Sequence, residues 1–299
     1  MATPFRSSNA DSDVLLNKAK TTPAGGARLF KRIGAHTALL IMAAIVLLPF
    51  IWMLMTSLKD PTEIFDTPFS LRFDWEKGVE NYIGAFNAVP MITFMINGTV
   101  VVLGILMVQL VTSIGAAYAL AKIEFRGKSI LFAFVVFALC IPVQVPALPL
   151  YLGLANLGLL NTYFALMFPW FLSAFAIFLF RQFFKSFPDE IISAARLDGF
   201  TEFEIVTRLV LPSAKPAIAA FSIFSITAHW NDLYWPLIVI NTVDYMTPPL
   251  GMMYFRDAEA GTNYGMLMAA AAIITTPLLL MFLFAQRQFI QGITMTGFK

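Results

Sequence analysis

Long runs free of Asp, Glu, Lys and Arg alternate with short charged segments along this chain. Residues 37–58, 81–121 and 129–180 carry no formal charge, nor do 260–286, while 216–241 is interrupted only by Asp232. A helix rises about 1.5 Å per residue and the hydrocarbon layer is about 30 Å thick, so about 20 apolar residues suffice to cross it. The run 81–121 is long enough for an interfacial stretch followed by a span. The run 129–180 is broken by Pro142, Pro146, Pro149, Gly153, Gly158 and Asn161, which predicts two spans joined by a short loop. The pattern predicts an all-α membrane protein with six transmembrane helices.

Composition agrees. Of 299 residues, 59% are apolar and 13% charged, against about 45–50% and about 25% in an ordinary soluble domain. A water-facing globule and a disordered chain are both excluded. The net charge of +2 gives no reason to expect a nucleic-acid partner. Charge placement does carry information. Lys and Arg gather in the N-terminal segment, in the loops around Lys122–Lys128 and 181–215, and at the C-terminus, leaving Lys59, Arg72, Lys77 and Arg256 on the other side. By the positive-inside rule, both termini are predicted to be cytoplasmic. Residues 1–30, polar and rich in Ser, Asn and Lys, read as a disordered cytoplasmic tail without a cleavable signal. Residues 31–299 read as one permease-like domain carrying a cytoplasmic loop at 181–215.

The chain has no G-x-x-x-x-G-K phosphate loop, two histidines (His36 and His229) and one cysteine (Cys140). Neither a metal site nor a catalytic constellation is expected, so the chain is not read as an enzyme. Asp232 is the only formal charge within a predicted span. Proton-coupled carriers place ionisable groups there, so transport energy is expected from another subunit. Gln109, Cys140 and the methionines read as helix packing.

The loop between Arg181 and Lys215 is patterned. Pro188, Asp189 and Glu190 suit a first helical turn, where fixed φ and negative charge are favoured. Ile191, Ala194, Ala195 and Asp198 follow at helical spacing, and Gly199 stands where a left-handed residue ends a helix. Thr201 and Glu204 form a T-x-x-E capping box that starts a second short helix, which Pro212 is expected to close. A helical hairpin results.

Pro188-Asp-Glu-Ile-Ile-Ser-Ala-Ala-Arg-Leu-Asp-Gly199, with Ile205 and Leu211-Pro212, resembles the EAA signature of ABC importer permeases. Thr56-Ser-Leu-Lys59, Pro142-Val-Gln-Val-Pro146, Asn161-Thr-Tyr163, Phe180-Arg-Gln-Phe-Phe184 and Trp230-Asn-Asp-Leu-Tyr-Trp-Pro236 extend the likeness over most of the chain beyond residue 37. Within these permeases the chain is similar to the carbohydrate-uptake family, and to the smaller permease subunit of the maltose importer. The resemblance implies a type I ABC importer permease fold in the inner membrane of a bacterium. It implies a homologous second permease, two copies of an ATPase that binds ATP and Mg, and an extracytoplasmic sugar-binding protein; this chain itself binds no cofactor. It also implies that Glu190, Ser193, Ala194, Ala195, Asp198, Gly199 and Pro212 belong to a coupling helix seated in the ATPase. Ser193 stands where the signature usually has glutamate, and Glu190, one turn earlier on nearly the same face, is its candidate substitute. Gly199→Ala, or a bulky residue at Ala195, is expected to uncouple ATP hydrolysis from transport.

Sugars are held by paired hydrogen bonds and by stacking on aromatic rings. Gln144, Trp230, Asn231, Asp232 and Tyr234 are therefore the candidates for a cargo pathway, weighed against a packing role for Asn231 and Asp232. Cargo is expected to be a sugar or oligosaccharide. Glycerol phosphate or another polyol derivative is the alternative within the same machine class, and a self-contained channel or secondary carrier is the alternative outside it.

Overall fold

The computed structural model describes residues 25–60, 64, 74–255 and 263–295. Among the described residues every regular element is helical and no strand occurs. That is what apolar runs of this length require, because in lipid the backbone must satisfy its own hydrogen bonds.

Contacts divide the chain into residues 1–53 and 54–299. The described part of the first unit belongs to one helix, α1 (Gly25–Ser57), which contains Pro49. Leu40, Ile45 and Leu48 are exposed, and Phe30–Ser57 is long and apolar enough to cross a membrane. Of the tail expected at residues 1–30, positions 1–24 lie outside the described residues, and 25–30 are helical.

The second unit opens within the last turn of α1. The carbonyls of Ser57 and Lys59 both accept from the Asn81 amide, at 3.0 and 2.9 Å. Asn81 lies in α2 (Trp75–Ala88), started by the Asp74 side chain, which accepts from the amides of Glu76 and Lys77. The Thr56–Lys59 segment is thus the seat of α2.

After a turn at Val89–Pro90 comes α3 (Met91–Lys122), 32 residues without an internal proline and hence about 48 Å long. Its buried positions, including Phe94, Val101, Ile105, Gln109, Ser113, Ala117 and Leu120, recur every three or four residues. The helix threads both hydrophobic clusters of the unit. One contains Phe94, Val101, Trp235, Leu250 and Ala269; the other contains Ala117, Phe180, Phe184, Ile192, Ile205 and Phe221.

The remaining helices of five or more residues are α4 (Lys128–Ala138), α5 (Ala147–Asn156), α6 (Tyr163–Met167), α7 (Ala174–Lys185), α8 (Asp189–Leu197), α9 (Glu202–Ser213), α10 (Lys215–Trp230), α11 (Tyr234–Val239) and α12 (Tyr264–Met295). α3 packs along α7 and α10, α10 along α12, and α12 along α2.

Six continuous spans are not what the described residues form. Phe30–Ser57, Met91–Lys122 and Tyr264–Gln286 are long and apolar enough to cross a membrane, and two bent helix pairs raise the number to five. The span expected first within 129–180 is two helices of 11 and 10 residues, α4 and α5. Pro142 and Pro146 lie in the turns between them and withdraw the amides a continuous helix would need. The two bent pairs are Tyr163–Trp170 with α7, at 44°, and α9 with α10, at 80°.

Two expectations about single elements are corrected. The run 216–241 is not one helix, since α10 ends at Trp230. Asp232 lies in the break, where its carboxylate accepts from the Trp235 amide at 3.3 Å ahead of α11. Nor does Pro212 close the second hairpin helix. The chain stays helical to Ser213 by widening to π-type turns over Ile205–Val210. The Leu211 amide donates to the Val206 carbonyl, an i→i−5 bond that accommodates a proline ring within the helix.

Candidate functional site

Two features of the second unit carry chemistry, a helical hairpin at the end of α3 that bears Tyr118 and Lys122, and a cavity midway along α3.

The hairpin is built as its residue types dictate. Asp189 and Glu190 occupy the first turn of α8 and Arg196 the last, complementing the helix dipole. Gly199 has φ +85°. The Phe200 amide donates to the Ala195 carbonyl at 3.0 Å and the Gly199 amide to the Arg196 carbonyl at 3.1 Å, a complete Schellman turn. Thr201 and Glu204 then cap α9 reciprocally: the Thr201 amide donates to the Glu204 carboxylate at 3.1 Å, and the Glu204 amide to the Thr201 hydroxyl at 3.3 Å.

α8 has two faces. Ile192 and Ala195 are buried in the lower cluster around Phe184. Glu190, Ser193, Ala194 and Leu197, spaced i, i+3, i+4 and i+7, form an exposed stripe opposite them. Glu190 and Ser193 therefore share one outward face. Asp198, Gly199 and Pro212 are exposed as well. Ala195 does not fit the role expected of it: at 6% exposure it faces the protein's own core. A bulky residue there overpacks that core, at a cost of about 1–3 kcal/mol, instead of altering a contact with another chain.

Sequence reasoning missed the two most prominent apolar side chains of the hairpin, Leu197 and Phe203, which are 88% and 76% exposed. Their signal was apolar character off the buried register of Ile192, Ala195 and Ile205.

Ion pairs tie the hairpin down. Asp189 meets Lys122 at 2.6 Å and Glu202 meets Arg196 at 2.7 Å. The ammonium of Lys122 holds the Asp189 carboxyl below the usual carboxylate range. The Arg196 guanidinium does the same for Glu202, and hydrogen bonding from Thr201 for Glu204.

The cavity has a volume of about 480 Å³, within the usual range for small-molecule sites. It opens where three chain breaks converge: the turns between α4 and α5, the segment 168–173, and the break between α10 and α11. Gln109, Ser173, His229 and Tyr234 supply its polar groups, and Trp170, Phe175 and Trp235 its rings; the lining has no Asp, Glu, Lys or Arg. Gln109 is fully engaged. Its amide donates to the Trp170 carbonyl at 2.8 Å and to His229 Nε2 at 3.3 Å, while its carbonyl accepts from Ser225 at 2.7 Å. The Trp170 and His229 rings pack at a tilt of 53° with centroids 5.1 Å apart.

Of the residues expected on a cargo pathway, Tyr234 alone lines this cavity. Trp230 is buried and donates through its indole to the Ile274 carbonyl at 3.0 Å, joining α10 to α12. Asn231 donates to the Thr227 carbonyl and Asp232 caps α11. Gln144 is exposed and outside the lining. Gln109, His229, Trp170 and Ser173 take their place. No sequence signal marks them, because they lie on three separate elements. Among the described residues no group of His, Cys, Asp or Glu is arranged to hold a metal.

The model of the family described as binding-protein-dependent transport system inner membrane component matches residues 109–295, which include both the hairpin and the cavity. The chain belongs to this family. It is accordingly an ABC importer permease, a multi-pass membrane transport component and not an enzyme, and the self-contained channel or secondary carrier is set aside.

Relatives agree over nearly the whole chain. The arabinooligosaccharides transport system permease protein AraQ of Halalkalibacterium halodurans is 33% identical, covering 86% of this chain and 93% of its own length. The diacetylchitobiose uptake system permease protein NgcG of Streptomyces coelicolor is 30% identical over 89% of this chain and 88% of its own. The sn-glycerol-3-phosphate transport system permease protein UgpE of Salmonella typhi is 30% identical over 87% and 95%. Among solved structures, a chain of a bacterial ABC transporter involved in import of the acidic polysaccharide alginate superposes with a TM-score of 0.75, covering 90% of this permease and all of that chain at 21% identity. That likeness establishes the shared permease fold.

Proposed function

We propose that this permease moves a sugar or oligosaccharide, with the cavity around Gln109 and His229 on the cargo path. The observation that carries the reading is the lining itself: aromatic faces beside hydrogen-bonding groups, without a formal charge. Rings stack on sugar faces, and hydroxyls pair with amide, imidazole and hydroxyl groups. A phosphorylated cargo needs cationic partners, and this wall offers none. Glycerol phosphate, the cargo named for UgpE, is the second reading for that reason.

The permease lies in the cytoplasmic membrane of a bacterium with both termini inside. It forms half of a translocation pore beside a homologous permease, above two copies of an ATPase that bind Mg and ATP and below an extracytoplasmic binding protein. The outward stripe Glu190–Ser193–Ala194–Leu197, with Phe203, seats in the ATPase. Closure of the ATPase displaces the hairpin, and the displacement switches the cavity between the two sides of the membrane. Apolar side chains this exposed in a solvent-facing loop are accounted for by a partner's groove.

Reconstitution with candidate ATPase and binding-protein partners tests this. Stimulation of ATP hydrolysis by binding protein loaded with an arabino-, chito- or malto-oligosaccharide supports it, and stimulation by glycerol phosphate alone overturns the cargo assignment.

A further inference from the structure

Both legs of the hairpin are pinned to one end of α3 by residues one helical turn apart. Lys122, whose side chain is 4% exposed, donates from Nζ to the Phe187 carbonyl and to the Asp189 carboxylate, both at 2.6 Å. These acceptors sit at the start of the first leg. Tyr118 donates from its hydroxyl to Glu202 Oε2 at 2.6 Å, while Glu202 Oε1 accepts from Arg196 at 2.7 Å. One carboxylate therefore joins α3 to the end of α8 and the start of α9. The Tyr118 ring packs edge-on against Phe184 at 6.4 Å, and Arg181 donates to the Leu120 carbonyl at 3.1 Å.

About 13 Å deeper along the same helix, α3 grips the broken segment that walls the cavity. Gln109 donates to the Trp170 carbonyl at 2.8 Å, and the Thr112 hydroxyl lies 3.0 Å from the Phe171 carbonyl, sharing its proton with the Val108 carbonyl of α3 at 2.8 Å. Between these two sets of bonds α3 is unbroken, whereas the cavity's other walls are interrupted by turns. No proline and no π-turn interrupts α3 between Gln109 and Lys122, which removes two of the usual causes of a kink.

We infer that Tyr118 and Lys122 are positioning residues that pass a displacement of the hairpin into α3, and through Gln109 and Thr112 into the cavity wall. The inference rests on the hairpin being the ATPase seat. It adds that the transmitting contacts are these two side chains on α3, and not the α9–α10 connection, which bends by 80° at Ala214.

Cys140 provides the reporter. It is the chain's one cysteine, it is exposed, and its neighbours Leu139 and Ile141 line the cavity. The assembled importer, reconstituted with its ATPase and binding protein, is labelled with a maleimide in the absence and presence of ATP plus vanadate, and modification of Cys140 is read by peptide mass. In the wild-type protein the labelling rate changes on vanadate trapping. With Tyr118→Phe and Lys122→Met combined, the ATPase still co-purifies and hydrolyses ATP, and the change in Cys140 labelling is lost. Lys122→Arg with Tyr118 retained, which can still donate to both the Phe187 carbonyl and the Asp189 carboxylate, keeps the change. A combined variant that keeps the full nucleotide-dependent change overturns the inference while leaving the ATPase seat intact. Failure of the wild-type permease to retain any ATPase overturns the seat itself.

Discussion

Gln109 and His229, 120 residues apart in sequence, are joined by a hydrogen bond of 3.3 Å in the wall of the cavity. The bond couples α3 to the last turn of α10, just before the break at Asn231. The same Gln109 side chain also serves Trp170 and Ser225, so one residue orders three elements.

Gln109→Leu keeps the volume and removes all three partners. Each buried polar group left unpaired costs about 1–3 kcal/mol. The purified importer is expected to show a lower thermal midpoint, and cargo-stimulated ATP hydrolysis to fall at least tenfold while basal hydrolysis stays within twofold. Calorimetry and a coupled ATPase assay read both.

Leu197→Ser with Phe203→Ser alters two side chains that touch little of the permease itself, given exposures of 88% and 76%. Surface changes of this kind alter intrinsic stability by about 0.5 kcal/mol or less. The thermal midpoint of the isolated permease is expected to be unchanged, while recovery of the ATPase by affinity pull-down drops severalfold. Undiminished recovery would place the ATPase contact elsewhere.

Gly199 turns the hairpin at φ +85°, and a Cβ there meets nothing within 4 Å. Any penalty of substitution is therefore backbone strain alone, about 1–2 kcal/mol for alanine in the left-handed region and less for asparagine. Gly199→Ala is expected to lower sugar-stimulated hydrolysis severalfold with normal membrane insertion, and Gly199→Asn to retain most of it. Equal loss in both variants would show that something other than φ is at work.

Acid should loosen the hairpin in a defined direction. The Asp189 and Glu202 carboxyls are held low, chiefly by their hydrogen bonds from Lys122 and Arg196. Groups depressed in the folded state contribute fully above their unfolded values, about 4 for carboxylates, and that contribution is lost as pH falls through the folded ones. Amide-exchange protection over 186–204, corrected for intrinsic rates, is expected to be flat from pH 7 to about pH 5 and to decline below about pH 4. Lys122→Met should remove the part of this decline that reports on Asp189.

The hairpin was the most legible part of the sequence because its turn is encoded locally. Gly199 and the Thr201–Glu204 box act within five residues of themselves, and the structure forms both the left-handed turn and the capping box, while α8 starts at Asp189 without a side-chain cap. The breaks were less legible. Charge-free runs report how much chain suits lipid, not whether it stays helical, and that depends on which distant group receives a freed carbonyl. The Trp170 carbonyl is taken by Gln109, 61 residues away, and the Ala165 carbonyl by the Trp235 indole, 70 residues away. The inward turn of Ala195 was hidden for a related reason, since small residues suit a core and an interface equally well. Asp232 was read as a charge within a span because its role as a cap requires the end of α10 at Trp230, which no nearby residue announces.

The widened turns of α9 have a consequence for reading the chain's length. Ile205 and Val210, five residues apart, are both fully buried, a pairing that ordinary helical phase would set on different faces and that i→i+5 bonding brings into line. One surplus residue is thereby absorbed ahead of Pro212 without disturbing what lies beyond it. Removing a single position between 206 and 209, together with replacing Pro212 by alanine, should yield a regular helix that delivers α10 in the same phase. A shortened permease of that kind, active in transport, would mark the bulge as an insertion the fold has learned to carry.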